Sequence, residues 1–298
     1  MADQLIRATA ADGGIRAVGV ITTKAVEEAR QRHQLSYVAT AALGRAMSSG
    51  LLLASSMKKE GSRVNITIKG GGPLGTVMVD AGLDGTVRGY VQNPMVELPP
   101  NAIGKLDVGG AVGKDGYLYV VRDVGYGYNY SSTVELISGE VGDDIANYLM
   151  TSEQTASALL VGVFVNKEGV TASGGILLQV LPKAAEDLTL VTTLESRVNQ
   201  LSGFTPLLRQ GKTLSHIFSD LLGDFDLNIF PEVQMVRFDC SCSFERVLGA
   251  LKMLGVDELE DMIIKDGGAE ATCDFCGEIY QADIDHLTEL IEDLQAVD

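Results

Sequence analysis

The sequence predicts an α+β protein: a mixed, largely antiparallel sheet domain with helices at the N-terminus, a helical linker, and a small C-terminal module. Three observations predict it. Short β-prone runs separated by glycine-containing turns fill the first 182 residues. From 184 to 223 the apolar periodicity becomes helical. All four cysteines of the chain then fall between Cys240 and Cys276, in two close pairs. The expected divisions are 1–182 for the N-terminal domain, 183–231 for the linker and 232–298 for the module.

Residues 4–22 read as a hairpin, with Asp12-Gly13-Gly14 turning between two β-prone runs. Thr23 is the expected N-cap of a helix to 32. A second helix over 36–57 is rich in Ala, Gly and Ser. Arg45 sits in its middle, so it reads as tightly packed and buried rather than membrane-spanning. Strands follow over 63–69, 75–80 and 86–91. The intervening Gly70-Gly71-Gly72-Pro73-Leu74-Gly75 matches a dinucleotide fingerprint by letter, but a strand follows where the phosphate site needs a helix N-terminus. It reads as a hairpin connection. Residues 92–116 are loop-like, and 117–122 and 128–136 are strands. Tyr117, Tyr119, Tyr126, Tyr128 and Tyr130 are expected to pack on the sheet rather than form an exposed patch. A helix over 143–150 and two long strands over 156–165 and 170–181 complete the domain.

In the linker, Leu190, Val191, Leu194, Val198 and Leu201 make one apolar stripe, interrupted at Ser202-Gly203. Thr205-Pro206 is expected to restart a helix with a cap and a proline at its first position. Ile217, Phe218, Leu221 and Leu222 form the last apolar face. Gly211-Lys212-Thr213 resembles the end of a P-loop, but Pro206 stands where that motif needs glycine and no strand leads in. The module itself is expected to open with a strand over 233–240 and continue with helices over 244–254, 258–264 (capped by Asp257) and 282–294. A hairpin carries the second cysteine pair.

Cys240-Ser241-Cys242 and Cys273-Asp274-Phe275-Cys276 suit one tetrahedral zinc ion, two thiolates from each short turn. The module is thus expected to be a small zinc-binding module holding one zinc per chain. The pattern also admits two disulfides or four unrelated thiols. Disulfides are rare in a reducing cytosol, and unrelated thiols seldom fall into two such pairs. The short-range disulfide pairings are Cys240 with Cys242 and Cys273 with Cys276. Oxidation that closed them would expel the metal, although spacing alone does not establish such a switch. A module of this size has a marginal core, and structural zinc contributes roughly 10–16 kcal/mol in small peptides. Loss of zinc is therefore expected to unfold it.

The chain of 298 residues carries a net charge of −17, is 46% hydrophobic and 21% charged, and reads as a soluble globular protein. Between 234 and 298, four Lys and Arg stand against sixteen Asp and Glu. That module repels a phosphate backbone, so nucleic acid is not an expected partner, and neither is a membrane. The N-terminus lacks a basic start followed by an apolar run, which with free thiols points to the cytoplasm. His33, His216 and His286 lie far apart and are assigned no metal role. There is no GxSxG or HExxH motif.

Several of these segments resemble the redox-regulated thirty-three-kilodalton bacterial heat-shock chaperones, the 33 kDa chaperonin family. They are Cys240-Ser241-Cys242-Ser243-Phe244-Glu245-Arg246, the Asp266-Gly267-Gly268 turn and Cys273-Asp274-Phe275-Cys276-Gly277. In the N-terminal domain, Ser152-Glu153-Gln154 and the run from Gly174-Gly175-Ile176 to Leu181-Pro182 agree as well. The resemblance covers essentially the whole chain. It implies a holdase, not an enzyme, that binds unfolded or oxidatively damaged proteins without a nucleotide cycle. It further implies that Cys240, Cys242, Cys273 and Cys276 ligate zinc in an inactive reduced form. Oxidation would then form Cys240–Cys242 and Cys273–Cys276 disulfides, release zinc, unfold the module and linker, and favour a homodimer. Two other readings compete. One makes Cys273-x-x-Cys276 a thiol–disulfide oxidoreductase; the other makes the chain an interaction module with a permanent structural zinc.

Overall fold

The computed structural model describes residues 2–201 and 203–296. The chain divides into two compact units, Met1–Asp239 and Cys240–Asp298.

The first unit opens with the expected hairpin. β1 (Gln4–Ala10) and β2 (Ile15–Ile21) pair antiparallel from Gln4↔Ile21 to Ala10↔Ile15. α1 (Thr23–His33) follows, with Thr22 rather than Thr23 at the N-cap. Its first amides are capped from the start of the chain: the Asp3 carboxylate accepts from Lys24 N–H at 3.1 Å and Ala25 N–H at 2.8 Å. The Thr22 hydroxyl instead meets those of Ser48 and Ser173 at 2.9 and 2.8 Å. Tertiary geometry thus overrides the local capping signal.

α2 (Tyr37–Ala54) is capped by the Ser36 hydroxyl, which accepts from Ala39 N–H, and sixteen of its eighteen residues are buried. It packs against both large sheets. Small residues make that possible. A Cβ at Gly44 would lie 2.6 Å from Val163 and 2.7 Å from Val26, and one at Gly50 would crowd Ala81 and Val79. No helix among the described residues is long and apolar enough to cross a membrane.

β3 (Arg63–Lys69), β4 (Thr76–Gly82) and β5 (Thr86–Val91) form an antiparallel meander. The 92–116 stretch is not all loop. α3 (Val108–Val112) forms there, with the Asp107 carboxylate accepting from Gly110 N–H. The glycine run after β3 lies against this turn, where side chains at Gly70 and Gly72 would run into the backbone of 111–113. The glycines thus permit close backbone approach in a hairpin connection. β6 (Tyr117–Asp123), β7 (Asn129–Glu135), α4 (Val141–Thr151), β8 (Ser157–Asn166) and β9 (Gly169–Val180) follow as the pattern predicts. The tyrosines depart from expectation: Tyr117, Tyr119, Tyr126, Tyr128 and Tyr130 are all exposed. Leu118 and Val120 occupy the buried face of β6, and Tyr117 and Tyr119 take the other.

The linker contributes α5 (Pro182–Ala185), α6 (Leu188–Gln200), α7 (Phe204–Arg209) and α8 (Leu214–Leu222). The break expected at Ser202-Gly203 falls partly on Ser202, outside the described residues; Gly203 is the N-cap of α7. Thr205 and Pro206 therefore sit inside the first turn, where proline's missing N–H costs no helical bond. α8 carries a capping box between Thr213 and His216. Leu190, Leu194, Phe204, Ile217, Phe218 and Leu221 pack with strand residues such as Ile6, Ile15 and Ile176 in a second core, separate from the one around α2.

The strand expected over 233–240 is broken into β11 (Gln234–Met235) and β12 (Arg237–Phe238), preceded by β10 (Asn228–Ile229). These segments lie in the first unit rather than opening the cysteine module. β10 and β11 pair with β1, and β12 runs parallel to β5. Among the described residues, one six-stranded sheet has the order β10-β1-β2-β9-β8 with β11 also on β1, and the other β12-β5-β4-β3-β6-β7. The 228–238 segment thus edges both sheets.

In the second unit, α9 (Phe244–Lys252) and α10 (Val256–Asp266) precede the hairpin of β13 (Gly268–Thr272) and β14 (Ile279–Asp283), and α11 (Ile284–Gln295) closes it. Gly255, not Asp257, is the N-cap of α10, and Asp257 lies in its first turn. The core cluster here is small: Leu251, Leu259, Ala282, Leu287 and Leu290 are buried.

Candidate metal centre

Two local structures deliver the four cysteines. Cys240 and Cys242 lie just before α9, whose N-cap Ser243 accepts from Arg246 N–H. Arg246 reaches back from the first turn, donating through Nη1 to the Ser241 carbonyl and hydroxyl, each at 2.9 Å. That brace holds the intervening residue and so sets how the two flanking sulfurs point. Cys273 and Cys276 sit in the turn of the β13–β14 hairpin, whose register runs from Gly268↔Asp283 to Thr272↔Ile279. Cys273 N–H donates to the Glu278 carbonyl at 2.9 Å, and Gly277 N–H returns to the Cys273 carbonyl at 2.8 Å. Gly277 closes the turn at φ +72°, a conformation glycine adopts without strain.

The four sulfurs lie within 4.8 Å of one another. Cys240 Sγ is 3.8 Å from Cys273 Sγ, and Cys242 Sγ is 3.3 Å from Cys276 Sγ. A tetrahedral ion bonded to each sulfur at ~2.3 Å places the sulfurs ~3.8 Å apart, so the donor set has the spacing such an ion requires. Both of these contacts join one turn to the other, as a donor set shared between the two turns requires. All four cysteines are unbridged; Cys276 is buried and the other three are half-buried.

Electrostatics fits the same occupant. Burial pushes the Cys273 thiol up, against the Phe275 and Cys276 amides that donate to its sulfur. Burial also raises the Cys276 thiol strongly, and proton sharing with Cys242, Cys273 and Cys240 adds to this against the Glu278 amide. Four sulfurs so close cannot all ionise without a cation among them. The amides that point at two of them stabilise thiolate once that cation is present. The Tyr280 hydroxyl donates to Cys242 Sγ at 3.1 Å. This partner went unread in the sequence, because Tyr280 looks like any aromatic residue on a strand. Its signal is positional: it lies four residues past Cys276, on the returning strand of the cysteine turn.

The Hsp33 protein family model matches residues 3–283. The chain belongs to the Hsp33 family. Similar Hsp33-family proteins include the "33 kDa chaperonin" of Gloeothece citriformis, 81% identical over 296 residues that cover 99% of each chain. The "33 kDa chaperonin" of Synechocystis is 76% identical over 295 residues, covering 99% of this chain and 98% of its own. The crystal structure of the 33 kDa chaperonin from Thermotoga maritima superposes with a TM-score of 0.92 at 35% identity, covering 100% of both chains.

Proposed function

We propose that this Hsp33-family chain is a redox-regulated holdase chaperone that captures unfolding proteins after oxidation releases a zinc ion. One observation carries the reading: the four sulfurs gathered within 4.8 Å in a unit whose own apolar core is small. Cys240, Cys242, Cys273 and Cys276 are the proposed ligands of one zinc per chain. All-thiolate tetrahedral sets suit this ion, which holds the cysteines as thiolates and supplies folding free energy to the module.

The chain's own residues account for the response. In each proposed pair, Cys240 with Cys242 and Cys273 with Cys276, one thiolate attacks peroxide. The O–O bond breaks, leaving a sulfenic acid and hydroxide. The neighbouring thiol then displaces water from that sulfur and closes the disulfide. Two short disulfides leave no thiolate donor set, so residues 240–298 lose their organising centre. The linker of 183–231 then loosens and exposes its apolar residues with the sheet face of Ile6, Ile15 and Ile176 beneath. Unfolded or oxidatively damaged proteins bind there, the activated form is a homodimer, and the site of action is the cytoplasm. The chain binds its clients and does not transform them. Cys273 and Cys276 occupy a hairpin turn rather than a strand-to-helix junction, which argues against an oxidoreductase.

The test follows zinc with a chromogenic chelator during peroxide treatment at raised temperature, with aggregation of an unfolding client assayed on the same samples. About one zinc per chain leaves as client protection appears, and thiol reductant with zinc reverses both. Zinc that stays bound, or leaves with no gain in protection, makes the site purely structural and overturns the proposal.

A further inference from the structure

The chain covers two of its own sheet edges with an extended segment. Without β10–β12, β1 and β5 are terminal strands of their sheets. Neither β1 (Gln-Leu-Ile-Arg-Ala-Thr-Ala) nor β5 (Thr-Val-Arg-Gly-Tyr-Val) carries the proline or lysine that commonly guards an exposed edge. Their guard is the strap of residues 228–239.

The strap sits as a bound peptide would. Val236 N–H donates to the Asp3 carbonyl at 3.2 Å, Arg237 N–H to that of Gly85 at 3.1 Å, and Asp239 N–H to that of Val87 at 3.1 Å. Neighbouring amides of an extended chain point to opposite sides. This stretch is therefore one strand shared by both sheets, antiparallel to β1 and parallel to β5. The Gln234 side chain bridges the two as well. Its Oε1 accepts from Arg7 Nη2 at 2.8 Å, and its Nε2 donates to the Leu83 carbonyl. Burial alternates along the strap. Ile229 packs in the second core, and Val236 and Phe238 in the core around α2, while Asn228, Met235 and Arg237 are exposed. A main-chain ladder with alternate side chains received in pockets is the pattern of strand addition.

The strap's own hold is slight. Its three strands have two residues each. From Gln4 to Ala8 β1 advances four residues, whereas the strap spends six between Ile229 and Met235, so residues 231–233 leave the ladder and are exposed. Strands this short depend on what anchors their ends. Before the strap stands α8, packed in the second core. After it, Cys240, the first proposed zinc ligand, follows Asp239 directly. Loss of the metal centre frees that end, and a segment with a free end frays.

We propose that the slot between β1 and β5 is a client site, closed by the strap in the reduced form and opened by zinc loss. Its occupant is an extended segment of an unfolding protein with apolar side chains at alternate positions, the pattern of the strap itself. Such a segment pairs along β1 in continuous register, where the strap skips the middle. This deepens the holdase reading and rests on it for the source of the segment. The switch thus gates main-chain edges as well as apolar surface.

The test uses the full chain and a fluorescent peptide with the sequence of residues 227–239. Anisotropy reports binding. The oxidised, zinc-free chain binds the peptide at least about tenfold more tightly than the reduced, metal-loaded chain. A peptide N-methylated at the positions of Phe230, Val236, Arg237 and Asp239, which blocks its ladder donors, binds the oxidised chain at least about tenfold more weakly. Excess unmodified peptide suppresses client protection, and the methylated one does not. Val236→Ser loosens the strap, so the reduced variant gains about tenfold in peptide binding with zinc content unchanged. Leu52→Ala, buried in α2 away from the strap, gains nothing. Equal binding by reduced and oxidised chain, equal binding of the methylated peptide, or an equal gain by Leu52→Ala overturns the proposal. So does an oxidised dimer that the peptide splits while client protection persists, since the occupant is then the strap of a second copy. Peptide binding by an oxidised chain that protects no client leaves the slot standing and removes the holdase reading. Protection that excess peptide does not reduce removes the slot and leaves that reading.

Discussion

In residues 1–239, α2 buries sixteen of its eighteen residues and packs against two large sheets, and the linker helices build a second core. In residues 240–298, the central cluster buries five apolar side chains, and the best-connected polar feature is a group of four sulfurs. The first unit is specified by shape. Gly44 and Gly50 exist so that strands can close on a helix. The second is specified by chemistry: short turns aim soft donors at one point, and the apolar residues are too few to hold a unit of this size alone. The proposed switch rests on this division, because a chemical cue acts on a bond and not on a core.

The division is broken most directly by removing the metal. A strong chelator on the reduced protein is expected to abolish amide-exchange protection in α9–α11 and the β13–β14 hairpin. Structural zinc supplies on the order of 10 kcal/mol to such modules. Protection of α2 and β9 stays. If α2 loses protection as fast as α11, the two units share one source of stability and the comparison fails.

Core truncation sharpens it from the other side. Leu52→Ala, at a fully buried site in α2, is expected to destabilise the first unit by about 3–5 kcal/mol in urea, with zinc content unchanged. Leu259→Ala, equally buried in α10, is expected to appear chiefly as weaker zinc retention in a chelator competition. Each ~1.4 kcal/mol lost from the module's folding reads as about tenfold in apparent metal affinity.

The same division explains what the sequence made legible. The gathering of Cys240, Cys242, Cys273 and Cys276 could be read because the spacing within each pair is local. The β3–β4 and β8–β9 hairpins could be read because turn chemistry and alternation are local too. What escaped depends on distant partners. β10 went unread, and the one strand expected over 233–240 is split into β11 and β12, because these two-residue strands are set by β1 and β5, more than a hundred residues away. The cap of α1 comes from Asp3, not from the threonine beside it. Tyr126 and Tyr128 are exposed in the connection before β7, and Tyr130 lies on β7, an edge strand, which alternation within one strand cannot reveal.

The smallest expected effect concerns a polar brace of the first unit, where shape should dominate. Glu27 on α1 accepts from Arg30 Nε and Nη2 at 2.8 and 2.7 Å, from Gln31 Nε2 at 2.7 Å and from Val170 N–H at 2.8 Å. It so ties the helix to the turn between β8 and β9, where Gly169 at φ +106° leaves room for the carboxylate. The Arg30 guanidinium, with the Val170 amide and Gln31, holds the Glu27 carboxyl down to about 2 against burial. A carboxyl whose folded value is depressed stabilises the fold fully above its unfolded value, ordinarily 4.5, and that stability is lost as pH falls towards 2. Solvent reaches the pair, so the contribution is about 1 kcal/mol rather than what the full shift implies. Glu27→Gln is therefore expected to lower the urea midpoint slightly at pH 7, and the gap from wild type narrows as pH drops from 4.5 towards 2. Zinc retention at neutral pH should not change. A gap that stays constant with pH means the brace acts by packing and not by charge. A change in zinc retention means that stability passes from the first unit to the second, and the comparison between a shape-built unit and a cysteine-centred one fails.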